Sequence, residues 1–231
     1  MAHSTSISQS GLLRLARYHC FLEELLQSAP TRSITSREMS SQLGLTEESV
    51  RSDLSHVDVK GRPGTGYDVA VLHAALTSFL GLSAPSPFIV VGSLPMLEAL
   101  PLIFPAAEFG MHPVAYFSHR SQDLGQVVGG LTVGSLADIP ALQTEADNVV
   151  ALVACDPDHV DETLHALSAA DIRGVLMLTP RIRATHPEGM HVTYFRIPCA
   201  LKSLAGSVHL ASAPAITAGS CCRVPPSRAA D

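Results

Sequence analysis

Phe88 to Leu97 reads FIVVGSLPML. Four consecutive apolar residues, Phe88, Ile89, Val90 and Val91, follow the Ser86-Pro87 break, and such a run fits a strand of a parallel sheet covered on both faces. Gly92 predicts a turn, and Leu94 to about Phe104 a helix. Strand, glycine turn and helix is the unit on which a dinucleotide pyrophosphate rests, where the loop continues G-x-G-x-x-G. Here the second and third glycine positions hold Leu94 and Leu97, with Pro95 between them. The topology signal is therefore stronger than the cofactor signal.

Downstream, strand-like and helix-like stretches alternate: Val114 to Phe117 as strand, Leu136 to Leu142 as a short helix, Val149 to Ala154 as strand, Asp158 to Ala170 as helix, and Gly174 to Leu178 and His191 to Phe195 as strands. Alternation with short links predicts an α/β fold, a parallel sheet covered on both faces. Cys199 to about Leu210 reads as a closing helix, and Ala211 to Asp231, rich in Ala, Ser and Pro, as a disordered tail. Upstream, Gly81 to Pro87 (GLSAPSP) has the composition of a linker.

The residues before the linker have a different character. Leu12 to Gln27 carries apolar residues every three to four positions and ends at Ser28-Ala29-Pro30. Thr35 and Glu38 have capping-box spacing at the head of a short helix that runs to Leu43. Gly44-Leu45 makes a turn, and Thr46 caps a third helix from Glu47 to about His56, with Glu47 and Glu48 where the helix dipole favours acids. Helix, glycine turn, helix is the helix-turn-helix pattern, whose second helix enters the DNA major groove. Met39, Leu43, Leu45, Val50 and Leu54 supply a core, which leaves Thr46, Ser49, Arg51, Ser52, Ser55 and His56 to face solvent or DNA. Val57 to Tyr67 is rich in glycine and reads as a strand and hairpin, a wing, with Lys60, Arg62 and Gly64 at its tip. Glu47, Glu48, Asp53 and Asp58 dilute the positive field of this face. Asp68 to Leu80 is a further amphipathic helix.

Composition bounds these readings. The 231 residues are 46% hydrophobic and 16% charged, ordinary for a soluble chain of one large or two small domains. The net charge of −6 argues against indiscriminate nucleic-acid binding, but residues 1 to 85 carry only −1 of it. No apolar run is long enough for a membrane span and no secretory signal precedes the first helix, so a cytoplasmic location is expected. Five cysteines without C-x-x-C spacing support neither a disulfide framework nor a zinc site, and Cys221 and Cys222 fall in the tail. The eleven histidines are scattered, and no metal site is expected from their spacing. No nucleophile-base or paired-carboxylate arrangement stands out, so no enzyme activity is expected. Near Cys155, the pair Asp156 and Asp158 reads as caps for the helix that follows.

Arg14-Leu15 with Tyr18, VRSDLSHV (Val50 to Val57), GRPGTGYDV (Gly61 to Val69), VGGLTVGSLADI (Val128 to Ile139), IRGVLMLTP (Ile172 to Pro180), PEG (Pro187 to Gly189) and ALKSLA (Ala200 to Ala205) occur in an order and spacing that resemble the Rex redox-sensing transcriptional repressors. The resemblance runs from about Arg14 to Leu204. It implies a winged-helix DNA-binding domain over 1–83, a Rossmann-like nucleotide-binding domain over 84–196, a domain-swapped dimerisation helix over 197–210 and a tail over 211–231. It further implies a homodimer on a palindromic operator in double-stranded DNA, released when NADH replaces NAD. Arg51, Ser55, Gly61, Arg62, Gly64, Gly66 and Tyr67 match the family's DNA-reading pattern, whereas Ser52, His56, Val57 and Pro63 depart from it.

The nucleotide positions implied by the resemblance are Gly92, Ser93, Leu94, Phe117, Ser118, Cys155, Thr179 and Pro180; Gly92, Phe117 and Pro180 match the family, whereas Leu94, Ser118 and Cys155 depart from it. Leu94 places a side chain where the pyrophosphate touches backbone, Pro95 lacks an N–H, and Ser118 stands where an Asp holds the ribose hydroxyls. The expectation is a Rex-like DNA-binding repressor whose NAD(H) sensing is weakened or lost. The alternatives are a partner protein that keeps the fold without binding DNA, and a regulator answering to another pocket ligand, with Arg181, Arg183 and Arg196 as anion-binding candidates.

Overall fold

The computed structural model describes residues 7–28, 32–142, 148–178 and 186–212. Two compact units divide the chain, one formed by residues up to Pro87 together with Pro105–His112, the other by Phe88–Phe104 and the residues from Pro113 onward.

The first unit is helical. Helix α1 (Gln9–Ser28) is followed by the two-residue strand β1 (Ser33–Ile34), α2 (Ser36–Leu43), α3 (Glu47–Leu54), β2 (Tyr67–Asp68) and α4 (Val69–Leu80). The capping box forms as its spacing requires: Glu38 N–H donates to Thr35 Oγ1 at 3.1 Å and Thr35 N–H to the Glu38 carboxylate at 2.8 Å. Gly44, at φ +65°, ends α2 in the left-handed conformation that lets the chain turn into α3. Leu15, Tyr18 and Leu22 of α1, Met39 of α2, Val50 and Leu54 of α3, and Val69, Leu72 and Leu76 of α4 are buried together, each on one stripe of its helix.

Helix α3 stops at Leu54 rather than His56, because His56 and Val57 N–H groups bond to Asp53 and Leu54 carbonyls in a tight turn that drives Val57 into the core. No strand forms from Val57 to Lys60. The partner of Tyr67 is Ile34, in the β1–β2 ribbon, and the wing is reduced to a turn closed by Arg62 and Gly66. Gly66, at φ +84°, packs its Cα face on the Ile34 carbonyl, so only glycine fits this crossing.

Asp53 is not the surface charge that its sequence context suggests. It is 4% exposed, and its carboxylate takes a bidentate pair from Arg14, Nε to Oδ2 and a terminal nitrogen to Oδ1, both at 2.7 Å. Tyr18 Oη donates to Oδ2 at 2.7 Å. Burial by itself would raise the Asp53 carboxyl, but the Arg14 and Tyr18 hydrogen bonds and the Arg14 charge outweigh it and hold it below the usual carboxylate range. Burial first, and then the hydrogen bond to Asp53 and its charge, push the Tyr18 phenol upward against the opposing Arg14 charge.

The second unit is a doubly wound α/β layer. Strand β3 (Ser86–Gly92) leads to α5 (Leu94–Ile103), β4 (Met111–Ser118), β5 (Val127–Val128), β6 (Leu131–Ser135), a 3-10 turn over Leu136–Ala141, β7 (Val150–Ala154), α6 (Val160–Ala169), β8 (Gly174–Met177), β9 (His191–Tyr194) and α7 (Ile197–Ser212). The sheet order is β5-β6-β4-β3-β7-β8-β9. Counted from β3 and leaving out β5, this is the third-second-first-fourth-fifth-sixth order of dinucleotide-binding sheets, with its switch point at the carboxyl end of β3. The β3–β7, β4–β6, β7–β8 and β8–β9 pairs are parallel, while the edge strand β5 runs antiparallel to β6, a departure from the all-parallel expectation. A two-residue return through Gly129 and Gly130, both at positive φ, is too short for a crossover and produces this hairpin.

Removing the Asp53 charge should be costly. Asp53→Asn should destabilise the first unit by about 2–4 kcal/mol in urea denaturation at pH 7, since it leaves Arg14 without its charge partner. Because the folded carboxyl lies below its unfolded value of about 3.9, this contribution is present above that pH and disappears as pH falls through the lower folded value. Parent and variant curves should therefore converge in strong acid.

Candidate nucleic-acid interface and nucleotide crevice

On the first unit, Thr46 Oγ1 accepts Ser49 N–H at 3.1 Å and lies 2.7 Å from Ser49 Oγ, so both hydroxyls are committed to starting α3. Along the outer face, Arg51, Ser52 and Ser55 are exposed, and Ser49 and His56 are half-buried. Ser55 Oγ donates to the Ser52 carbonyl at 2.6 Å. Arg51 donates to Glu47 at 3.1 Å, one helical turn away, with 62% of its side chain exposed. Lys60, Arg62 and Gly64 are exposed on the turn that replaces the wing strand. Arg51, Lys60 and Arg62 thus present three cations with little to hold them, and Asp53 is turned away from them toward Arg14.

On the second unit, the crevice at the carboxyl end of β3 is occupied by protein groups. The buried Asp123 carboxylate accepts the Leu94 N–H at 3.0 Å and the Ser118 hydroxyl at 2.8 Å, both on Oδ2. Pro95 has no N–H, and the Met96 and Leu97 N–H groups bond to the Ser93 carbonyl at 2.9 and 3.0 Å. The Leu94, Met96 and Leu97 donors at the head of α5, which would meet a phosphate in a dinucleotide site, are therefore all taken. Met96 Sδ lies 2.9 Å from where a Cβ on Gly92 would stand, so a thioether covers the glycine that a pyrophosphate would approach. Leu97, at the third glycine position, is fully buried and serves as core.

Ser118 is 1% exposed and points to Asp123, with its oxygen also accepting Arg120 N–H at 3.1 Å. Phe117 is buried and its ring packs on Gly134. Cys155 is buried, and burial raises its thiol, which leaves it a poor nucleophile. Asp156 does not cap the following helix. Its carboxylate instead crosses from the end of β7 to the end of β4, 2.9 Å from His119 Nε2 and 3.1 Å from Arg120. Those two contacts, His119 first, lower its carboxyl. The His119 ring also stacks on His159 at 4.3 Å between centroids. Neither Asp156 nor Asp158 caps α6, whose preceding residue is His159. Thr179, Pro180, Arg181 and Arg183 lie outside the described residues. Sequence reasoning did not find Asp123, Met96 or His119, because their partners are other elements' backbone and side chains and no motif spacing links them.

Residues 6–55 match a family model described as "Putative DNA-binding protein N-terminus". The chain is 28% identical over 205 residues to the redox-sensing transcriptional repressor Rex of Clostridium botulinum, covering 88% of this chain and 96% of that one. It is also 28% identical over 181 residues to the Rex repressor of a Roseiflexus species, covering 78% and 81%. Over most of its length the chain is similar to the Rex repressors. Among solved structures, RSP, a Rex-family repressor, superposes with a TM-score of 0.75 at 24% identity over 90% of this chain and 97% of that one. RSP in complex with β-NAD+ and operator DNA gives 0.74, over 90% and 95%. These superpositions show a shared fold. No helix among the described residues is long and apolar enough to cross a membrane.

Asp123→Ala should leave the Leu94 N–H and the Ser118 hydroxyl buried without an acceptor. A loss of about 2–4 kcal/mol in chemical denaturation is expected, and a loss under about 0.5 kcal/mol, the range of a neutral surface change, would contradict the bonding described for this turn.

Proposed function

We propose that the chain is a dimeric Rex-type repressor that binds a palindromic operator in DNA, acts in the cytoplasm, and has a weakened or lost response to NAD(H). The outer face of α3 carries this reading. Arg51 is free to leave Glu47, since an exposed i,i+4 pair is worth only about 0.3–0.5 kcal/mol, and Asp53 is neutralised inside the unit. Arg51 is assigned to a base edge or a phosphate, Lys60 and Arg62 to phosphates, and Thr46, Ser49, Ser52, Ser55, His56 and the Gly64 backbone to the surrounding contacts. The operator DNA in the RSP complex supports this assignment.

That RSP complex also contains β-NAD+, and RSP has a second complex with β-NADH. The residues of this chain do not fit a dinucleotide in the family's manner. Asp123 holds the α5 donor, Met96 fills the approach to Gly92, and Ser118 is bonded inward. Placing a pyrophosphate there requires breaking two hydrogen bonds, one buried and one part-buried, and putting a second anionic group beside a carboxylate. Ser93, Leu94, Phe117 and Cys155 are accordingly assigned to packing of the turn rather than to cofactor contacts. No enzyme activity is assigned to the crevice.

Dimerisation is assigned to α7. Ile197, Leu201, Leu204 and Val208 recur every three to four residues and are each about 60% exposed, an apolar stripe that a second copy's unit can cover, as the exchanged helix of the family would. Residues 1–83 are then the DNA-binding domain, 84–196 the Rossmann-like domain and 197–210 the dimerisation helix.

In a gel-shift assay at low salt, the full chain should bind a Rex-type palindromic duplex, with affinity falling steeply as salt rises. Arg51→Ala should weaken binding by about tenfold or more, and added NADH should leave the complex in place. Absence of binding at low salt would refute the DNA-binding assignment.

A further inference from the structure

His19 and Glu23 lie one turn apart on α1, and His73 and Thr77 one turn apart on α4, on the faces where these two helices pack. One ligand atom from each of His19, Glu23 and His73 lies within 4.8 Å of the other two. The imidazole rings of His19 and His73 are 4.4 Å apart between centroids and inclined by 31°. His73 Nε2 is buried and has no hydrogen-bond partner among the described residues.

The hydrogen bonds fix the state of His19. Thr77 Oγ1 donates its single proton to the His73 carbonyl at 2.9 Å, so its 3.0 Å contact with His19 Nε2 requires the ring to donate there. In the neutral ring, Nδ1 then carries the lone pair. That nitrogen faces the Glu23 carboxylate at 3.9 Å. Two imidazoles and a carboxylate, with one ring oriented by an outer hydrogen bond, form a ligand set for a divalent transition ion.

We propose that His19 Nδ1, Glu23 and His73 bind a divalent transition-metal ion, zinc being the one whose four-coordinate His₂-carboxylate set with one water fits these donors. Ligands on a tetrahedral zinc stand roughly 3.4 Å apart, from bond lengths of about 2.1 Å. Closing the set from 4.8 Å calls for a side-chain adjustment of about 1 Å, which Glu23, with a third of its side chain exposed, can supply. The ion would clamp α1 to α4. Since α1 also carries Arg14 and Tyr18, the clamp would steady the helix that holds Asp53 and with it the placement of α3. The two histidines are far apart in sequence and on separate helices, so no ligand motif announces the site.

The test is zinc titration of the untagged, chelator-treated full chain, read by calorimetry and by thermal melting. A cobalt titration adds the absorption of a tetrahedral nitrogen-oxygen site. One equivalent should bind per chain with micromolar or tighter affinity and raise the melting midpoint. Glu23→Gln and His73→Gln should each weaken that binding at least tenfold and remove the cobalt band, while their midpoints without metal stay close to the parent's. His159→Gln, in the second unit, should retain both. Failure of the parent to bind zinc, or equal binding by the parent, Glu23→Gln and His73→Gln, would overturn the assignment. Either result would leave the DNA-binding reading intact, because operator affinity of the metal-free chain is measured separately.

Discussion

A single buried carboxylate holds the head of α5 in the second unit. Asp123 joins the head of α5 to the end of β4 through the Leu94 N–H and the Ser118 hydroxyl, at the point of the sheet where doubly wound folds receive a phosphate. A helix N-terminus favours an anion there, and the chain supplies its own. The β3–α5 turn is thereby closed from within: the amide has its acceptor, Pro95 needs none, and Met96 lies over Gly92. The fold persists with the altered loop because the requirement for a negative group at the helix head is met without a ligand.

The first unit shows a similar economy of charge. Asp53 sits on the helix assigned to DNA, where an exposed acid would repel phosphate, yet it is buried against Arg14 and Tyr18. The pair both neutralises this charge and ties α1 to α3. What is left outward is Arg51 with the turn cations Lys60 and Arg62, consistent with an N-terminal region whose net charge is close to zero rather than strongly basic.

Periodicity made the architecture legible. The apolar run at Phe88 to Val91, the Thr35/Glu38 capping box and the Gly44 turn each depend on neighbours a few residues away, and each formed as its spacing required. Features decided by distant partners were not legible. The wing strand was lost because Tyr67 pairs with Ile34, β5 turned antiparallel across a two-glycine return, and Asp156 left the helix cap for His119 and Arg120. At the crevice, the sequence indicated that Leu94, Pro95 and Ser118 depart from a dinucleotide loop. It held no sign that Asp123, nearly thirty residues from Leu94, closes it. Thr179 and Pro180, expected beside the nucleotide, lie outside the described residues.

Whether this crevice still takes a dinucleotide is measured directly by calorimetric titration of NADH into the full chain. The closed turn predicts no binding heat at micromolar NADH. A saturable isotherm with a micromolar or tighter dissociation constant would contradict the account, because it would require the Asp123 bonds to Leu94 and Ser118 to open for the pyrophosphate.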